Sequence, residues 1–252
     1  MKPHERLAQA LRAAEATAVV PYLTGGYPDM TRFVESLDAL AEVSPALEVG
    51  IPFSDPMADG ATIQESSRQA LAAGTTLDGV ITGLEKRANI DTPLVIMSYL
   101  NPLLAYGVDR LIPRLVEAGV CGLVLPDLPF EEASIIAEPA QASGMGIVQL
   151  VTPLTDRDRL QMLCKESQGF VYAVTMTGTT GGVVSEGEGV SDYLDRVREA
   201  SSIPVLAGFG VRSAQQVRKL APHCDGVIVG SAIVEKISRG EDPVAFVQEL
   251  LS

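Results

Sequence analysis

Two acidic side chains of this chain, Glu48 and Asp59, stand eleven positions apart on either side of a break in an apolar segment. Residues 46–50 are typical of a short buried strand, and side chains alternate along a strand, so Glu48 should face away from Leu47 and Val49. A carboxylate in apolar surroundings costs several kcal/mol unless it is paired, hydrated or protonated. Enzymes use such surroundings to change the pKa of a catalytic carboxyl group. We therefore predict that Glu48 and Asp59 converge on one substrate with different pKa values.

Each acid also has a purely structural interpretation. Glu48 would then be a strand-end glutamate held by an arginine or by water, and Asp59 an ordinary aspartate of a turn. Asp55, which precedes Pro56, has a stronger structural explanation, because aspartate commonly caps helices and initiates turns. The pairing of Glu48 with Asp59, rather than either residue alone, favours catalysis.

The elements that must position these acids follow a regular alternation along the chain. Apolar segments typical of buried parallel strands alternate with helical periodicity, and after the second strand two helices follow. Eight such units in about 250 residues favour closure into a barrel over an open sheet. We predict an α/β fold, an eight-fold parallel (β/α)8 TIM barrel forming a single catalytic domain over residues 1–252, with extra helices at the N-terminus and after strand 2. The predicted strands are residues 18–23, 46–50, 94–98, 122–125, 146–151, 170–174, 204–207 and 226–229.

Glycines gather where the last three predicted strands end. In barrels of this kind the active site lies at the carboxyl ends of the strands, and backbone N–H groups there commonly hold a phosphate. Turn formation explains any one of these glycines equally well. Arg212 is the only basic residue near them, so the prediction is a phosphate held mainly by backbone dipoles. The residues concerned are Gly181 and Gly182 after the sixth strand, Gly208 and Gly210 after the seventh, and Gly230 and Ser231 after the eighth.

Composition limits the other possibilities. The 252 residues carry a formal net charge of −13, which argues against nucleic acid and anionic membranes as partners. No apolar segment approaches the roughly 18 residues of a membrane span, and the N-terminus has no signal-peptide pattern. Cys121, Cys164 and Cys224 are widely spaced, which is typical of reduced thiols, so we predict a cytoplasmic protein. With only two histidines, a histidine-based metal site is disfavoured.

The segment from Glu48 to Gln64 resembles the signature of the tryptophan synthase alpha subunit. It reads E-V-G-I-P-F-S-D-P-M-A-D-G-A-T-I-Q, against the family pattern E-x-G-x-P-F-S-D-P-x-A-D-G-P-x-I-Q. Ala61 stands where the family usually has proline, so we expect a somewhat looser turn. Residues 172–181 resemble the family's Y-x-x-S-x-x-G-V-T-G, with Thr175 in place of serine and Thr179 in place of valine. The resemblance covers nearly the whole chain.

This resemblance implies an activity and a set of site residues. The family cleaves indole-3-glycerol phosphate to indole and glyceraldehyde 3-phosphate, and its two catalytic acids fall on Glu48 and Asp59. No metal or organic cofactor is expected in this chain. The family's partner is a beta subunit that carries pyridoxal phosphate, usually in an alpha2beta2 heterotetramer. The implied substrate-binding residues are Tyr172, Thr180, Gly181, Gly210, Gly230 and Ser231, and the implied partner interface includes Asp55, Pro56, Asp127 and Pro129.

Some alternatives stay open on the residues alone. The chain could be another phosphate-binding barrel enzyme, such as an isomerase or an aldolase, although no lysine at a strand end suits an aldolase. It could also be a catalytically reduced subunit that activates its partner, against which the presence of both acids argues. Tyr172 by itself is more often a core aromatic. Residues 178–189 contain five glycines in twelve positions, and we predict that this segment is a lid that closes over the site.

Overall fold

A computed structural model of the chain describes residues 1–14, 17–88, 91–175, 189–208 and 210–252. Eight parallel strands pair in chain order and close into a barrel, with β8 against β1. This architecture confirms the predicted (β/α)8 fold. The strands are β1 Ala18–Thr24, β2 Leu47–Gly50, β3 Leu94–Met97, β4 Val120–Val124, β5 Gly146–Val151, β6 Val171–Val174, β7 Val205–Gly208 and β8 Gly226–Val229.

Helices follow the strands around the outside of the barrel. The extra helices predicted at the N-terminus and after strand 2 are both present, as α1 and as the pair α3 and α4. The helices are α1 Pro3–Arg12, α2 Met30–Ala41, α3 Ala61–Ala72, α4 Leu77–Glu85, α5 Leu100–Tyr106, α6 Val108–Glu117, α7 Ser134–Ala142, α8 Arg157–Glu166, α9 Val190–Ala200, α10 Ala214–Leu220, α11 Ser231–Ser238 and α12 Pro243–Leu251, with a 3-10 turn at Phe130–Glu132. Within the described ranges, no helix has the length and apolar character needed to cross a membrane.

The helix α5 is an element that the sequence did not indicate. It is only seven residues long and includes a proline, so its apolar periodicity is too brief to recognise. Its first backbone N–H, at Leu100, donates to the side chain of Asp127, with both carboxylate oxygens at 3.0 Å. The cap of this helix therefore comes from the loop after the next strand, which local sequence cannot predict.

Alternation along the strands separates an inner from an outer core. Leu47 and Val49 belong to the large core between strands and helices, whereas Tyr22 and Val95 belong to the core inside the barrel. Glu48 pairs in register with both Tyr22 and Val95. The carboxyl of Glu48 is therefore placed inside the barrel, as the alternation predicted.

The helix α1 closes the end of the barrel opposite to the strand tips. Leu7 and Leu11 are buried with the residues of the barrel interior. Leu7 also lies close to Gly169, which precedes β6. Because this end is filled by apolar side chains, the carboxyl ends of the strands form the open end at which a substrate can enter.

Candidate active site

Glu48 is a buried carboxyl group with little to compensate its charge. The residue is 1% exposed, and its Oε1 atom has no hydrogen-bond partner in the described part of the chain. Burial raises the pKa of Glu48 to about 8, and the nearby charge of Asp59 adds to the increase. Among the residues that the structure describes, no cation contributes to this pKa, so the alternative of a glutamate held by an arginine finds no support. A carboxyl in this state is protonated at neutral pH and can donate a proton.

Asp59 lies on the connection between β2 and α3, and backbone contacts hold this connection in place. The N–H of Asp59 donates to the carbonyl of Pro56 at 3.2 Å, and the side chain of Gln64 donates to the carbonyl of Asp59 at 2.9 Å. Burial raises the pKa of Asp59 to about 6, and a hydrogen bond from Tyr99 opposes that increase. Asp59 is therefore mostly ionised at neutral pH, unlike Glu48.

Ala61, the departure from the family signature, is the first residue of α3, with Gly60 as its N-cap. Proline is favoured at this helical position because its N–H would have no intrahelical partner there. Alanine is also compatible with the helix start, and the contact from Gln64 to the loop is present. The expected loosening of the turn stays a prediction.

Tyr99 is a site residue that the sequence reasoning missed. Its hydroxyl accepts a hydrogen bond from the N–H of Ala58 at 2.9 Å and donates to the carboxylate of Asp59. Its ring packs against Phe53, with 5.2 Å between ring centroids. The available signal was its position two residues after β3, at the end of the barrel where catalytic residues gather.

Two tyrosines inside the barrel lie close to the acid pair. Burial raises the pKa of both Tyr22 and Tyr172, and the charges of Glu48 and Asp59 contribute to both shifts. Two strand-end glycines make room for these rings. A Cβ at Gly50 would lie 1.9 Å from the hydroxyl of Tyr22, and one at Gly208 would lie 2.3 Å from Cε1 of Tyr172.

This placement bears on the two interpretations of Tyr172. The side chain is buried inside the barrel, as a core aromatic would be, and it also lies within the electrostatic range of the acids. Contact of Tyr172 with a substrate stays a prediction. Tyr22 was not singled out from the sequence, because nothing in its local pattern distinguishes it from a core residue.

The predicted phosphate site is formed by backbone at the ends of β7 and β8. Gly230 is the N-cap of α11, whose first intrahelical hydrogen bond runs from Val234 N–H to Gly230 O. The N–H groups of residues 231–233 precede that bond and can point to an anion. Gly210 has a φ of +91°, a conformation that favours glycine. Thr180 and Gly181, like most of the predicted lid at 178–189, lie outside the described residues.

Arg212, the basic residue near these glycines, is already paired. Its guanidinium donates to the carboxylate of Glu235 on α11. The positive charge of Arg212 is thus balanced within the protein. This supports the prediction that backbone dipoles are the main binding groups for an anion here.

The four residues predicted at a partner interface lie on loops at the same end of the barrel. Asp55 is exposed and accepts a hydrogen bond from the hydroxyl of Ser54 at 2.6 Å. Pro56 is half-buried, and Pro129 is exposed. Asp127 is exposed and also caps α5, so it has a structural role whatever else it contacts.

Two large apolar side chains are exposed near these loops. Met57 is 73% exposed and follows β2, and Leu154 is 72% exposed and follows β5. Single exposed apolar side chains are normal on protein surfaces, so these two residues do not by themselves indicate an interface. The roles of these loops in binding a partner stay predictions.

The acidic and thiol side chains that the structure describes do not form a metal site. No group of three or more His, Cys, Asp or Glu side chains in the described ranges is arranged to hold a metal ion. Cys121, Cys164 and Cys224 are buried and free, and burial raises the pKa of each thiol. Buried thiols in such surroundings are unreactive, so these cysteines do not compete with the carboxyl pair as candidate catalytic groups.

Comparison with known proteins agrees with this geometry. The family model described as "Tryptophan synthase alpha chain" matches residues 8–251. A tryptophan synthase alpha chain from Bacillus mycoides is 42% identical over 220 residues, which are 86% of this chain and 85% of that protein.

Solved structures give the same result. A tryptophan synthase structure from M. tuberculosis superposes with a TM-score of 0.87 at 34% identity, covering 100% of this chain and 98% of the other. One of an a2b2 complex from Pyrococcus furiosus superposes with a TM-score of 0.84 at 37% identity, covering 94% and 98%. With a barrel, an acid pair and a family model in agreement over nearly its whole length, this chain belongs to the tryptophan synthase alpha chain family.

Proposed function

We propose that this chain cleaves indole-3-glycerol phosphate to indole and glyceraldehyde 3-phosphate. The observation that carries the proposal is the pair of buried carboxyl groups with separated pKa values, about 8 for Glu48 and about 6 for Asp59. The reaction needs one protonated and one ionised carboxyl group at the same time, and this pair satisfies both conditions between those two values.

Glu48 supplies the proton that starts the reaction. Protonation of the indole ring at C3 removes its aromaticity and leaves positive charge at N1. Burial keeps Glu48 protonated until it meets the substrate, and its place inside the barrel limits competition from water. Having donated its proton, Glu48 becomes a carboxylate next to the substrate's side chain.

Asp59 stabilises the charged intermediate. Its carboxylate accepts the N1–H of the ring, and the interaction strengthens as positive charge develops at N1. The hydroxyl of Tyr99 and the amide of Gln64 hold the Asp59 segment in place. These contacts allow the carboxylate to be oriented before the substrate arrives, so that less reorganisation is required during the reaction.

Glu48 completes the cleavage by accepting a proton. It takes the proton of the hydroxyl on the side-chain carbon attached to C3. A carbonyl forms on that carbon, the carbon–carbon bond breaks, and its electron pair returns to the ring. Aromatic indole and glyceraldehyde 3-phosphate leave, and Glu48 is again protonated for the next cycle.

The phosphate of the substrate is bound at the ends of β7 and β8, and only β1 separates β8 from β2, the strand that carries Glu48. The N–H groups at the start of α11 that have no intrahelical partner and the backbone near Gly210 would bind it. Because Arg212 is paired with Glu235, the helix N-terminus supplies most of the favourable electrostatics. Ser231, the first residue of α11, is in addition available as a hydroxyl donor.

This chemistry consists of proton transfers, so the chain itself requires no cofactor in our proposal. The chain would work with a beta subunit that carries pyridoxal phosphate, as an alpha2beta2 complex of the kind named for the Pyrococcus furiosus relative. The loops with Asp55, Pro56, Asp127 and Pro129 would form the contact surface. A cytoplasmic location, where thiols stay reduced, fits the three free cysteines.

The decisive experiment measures indole release from indole-3-glycerol phosphate by the purified chain, alone and with a beta subunit. Glu48→Gln and Asp59→Asn should each lower kcat by at least about 100-fold, because each removes one of the two proton-handling groups. Circular dichroism of both variants should match the unsubstituted protein. If either variant kept more than about a tenth of the wild-type kcat, that residue would have no place in the mechanism.

A further inference from the structure

Glu235, on the second turn of α11, connects three separate segments around the barrel mouth. Its Oε1 accepts a hydrogen bond from the hydroxyl of Thr62 on α3 at 3.2 Å. Its Oε2 accepts from the guanidinium of Arg212, in the segment between β7 and α10. A single carboxylate thus joins α3, α11 and the loop after β7.

The contact with Thr62 leads directly to the acid-bearing loop. Thr62 is the second residue of α3, and Gln64 on the same turn donates to the carbonyls of Asp59 at 2.9 Å and Pro56 at 3.3 Å. The first turn of α3 is therefore the support on which the Asp59 segment rests. Whatever holds this turn also holds the position of Asp59.

The contact with Arg212 leads to the glycines of the phosphate site. The backbone N–H of Arg212 donates to the side chain of Gln216 at 2.7 Å, and Gln216 donates to the carbonyl of Gly210 at 3.2 Å. Glu235 itself lies four residues after Ser231, one helical turn from the proposed anion-binding N-terminus. The carboxylate of Glu235 is thus linked to the end of β7 through Arg212 and Gln216, and to the end of β8 through α11 itself.

The charge state of Glu235 suits this role. The hydrogen bond from Arg212, followed by smaller charge effects, lowers the pKa of Glu235, so it is a carboxylate at neutral pH. The two side chains are 51% and 26% exposed, for Arg212 and Glu235. Ion pairs with this exposure contribute little to overall stability. Removing the carboxylate should therefore leave the fold intact and act on the site.

We propose that Glu235 is a positioning residue that sets the spacing between the Asp59 loop and the phosphate-binding glycines. The proposal rests on the proposed function, in which the indole end of the substrate meets Asp59 and the phosphate end meets the start of α11. A substrate held at both ends meets the acids in a reactive geometry only when the separation of the two ends is right, and small displacements are costly in rate. Glu235 fixes that separation through its two oxygens.

Kinetics can separate the two arms of this connection. Arg212→Ala should mainly raise KM by several-fold, because it loosens the phosphate end, and Thr62→Val should mainly lower kcat, because it loosens the acid end. Glu235→Ala should do both, with a fall in kcat/KM of about tenfold or more. Glu235→Gln, which keeps one acceptor oxygen, should recover part of the loss.

Double variants test whether Glu235 acts through these partners. Thr62→Val and Arg212→Ala should cause little further loss when Glu235 is already alanine. Glu241→Ala is the matched control. Glu241 follows the C-terminal end of α11, away from the site, and forms an ion pair with Lys236 of that helix. Fully additive losses, or equal effects of Glu235→Ala and Glu241→Ala, would overturn the proposal.

A second measurement does not depend on activity. Amide hydrogen exchange of residues 55–64 and 210–213 should be faster in Glu235→Ala than in Glu241→Ala, in the absence of any ligand. If the unsubstituted protein released no indole, the proposed function would fail while this exchange result still tested the connection. Unchanged exchange in either segment would show that Glu235 does not hold the two loops together.

Discussion

At the scale of single residues, the site depends on the contrast between two carboxyl groups. Both acids have a raised pKa, and burial is the largest cause for each. They differ because Asp59 accepts a hydrogen bond from Tyr99, whereas Oε1 of Glu48 has no partner in the described ranges. A hydrogen bond to the charged form favours ionisation, so the pKa of Asp59 is lower than that of Glu48.

The burial of Glu48 has a consequence for stability. In the unfolded chain its pKa is near 4.5, whereas in the folded chain it is about 8. Between these values the folded state binds the extra proton, so the stability that Glu48 contributes is present at low pH and is lost as pH rises to 8. The free energy of unfolding of Glu48→Gln, taken relative to that of the wild type, should therefore increase by about 2 to 3 kcal/mol from pH 6 to pH 9.

Urea unfolding at both pH values measures this gain. Glu131→Gln serves as the control, because the pKa of the exposed Glu131 is lowered to about 2 and the residue stays ionised in both states throughout this interval. The effect of Glu131→Gln on the free energy of unfolding should be the same at pH 6 and pH 9. A Glu48→Gln difference that did not grow with pH would mean that Glu48 is ionised in the folded protein.

Tyr99→Phe should change the pH dependence of catalysis. Loss of its hydroxyl removes a hydrogen bond that lowers the pKa of Asp59, so this pKa should rise above about 6. Because Asp59 acts as a carboxylate in the proposed mechanism, the acidic limb of the kcat/KM profile should move to higher pH. Activity should thus fall more at pH 6.5 than at pH 7.5.

Tyr106→Phe is a suitable comparison for this experiment. Tyr106 donates to Asp78 on the surface and makes no contact with the acid pair. Its profile should coincide with that of the wild type. An acidic limb unchanged in Tyr99→Phe would remove Tyr99 from the control of Asp59.

Among the helices and strands, α11 matters most for the proposed phosphate binding, which depends on its first turn. Gly210→Val would be an obvious test of this site, but Gly210 has a φ of +91°, where any side chain is strained. Gly230 is the better choice. A Cβ there would meet Tyr22 at 3.6 Å, an ordinary contact, so alanine is accommodated by the protein.

Gly230→Ala should raise KM for the phosphorylated substrate by about tenfold, since the methyl group would occupy space next to the anion. Its binding of free indole should change little. Gly122→Ala is the matched control, because its nearest neighbour would be at 3.5 Å and it lies near Leu7 of α1. Equal loss of substrate and indole binding in Gly230→Ala would indicate misfolding and withdraw support for the site.

At the scale of the whole molecule, the loops of the open barrel end form the expected contact surface for a beta subunit. Pro129 is exposed on the loop after β4, next to the exposed Asp127. A further negative charge in this region would repel an approaching partner or remain unpaired on binding. We expect Pro129→Asp to weaken association with the beta subunit, as measured by analytical ultracentrifugation.

Pro222→Asp provides the control for the same experiment. Pro222 is also an exposed proline, but it precedes β8 and so lies at the opposite end of the barrel. This substitution adds the same charge without touching the proposed surface, and association should be unchanged. If both variants associated as tightly as the wild type, the interface would lie elsewhere on the molecule.

The barrel and the positions of its two acids could be predicted from local sequence patterns. Buried parallel strands are continuous apolar segments, and eight of them alternating with helices allow few other folds. Strand alternation was enough to place Glu48 inside, because its neighbours Leu47 and Val49 had to face the helices. The long motif around Asp59 and the family resemblance agree with that local reasoning.

The contacts that hold the site in place and set its pKa values depend on the folded chain and could not be predicted. The cap of α5 by Asp127, the hydrogen bond from Tyr99 to Asp59 and the joining of three segments by Glu235 all link residues far apart in the chain. Such contacts have no local pattern, because they arise when separate strand ends meet at one rim. The pKa values follow the same rule, since desolvation depends on the whole surrounding core and not on neighbours in sequence.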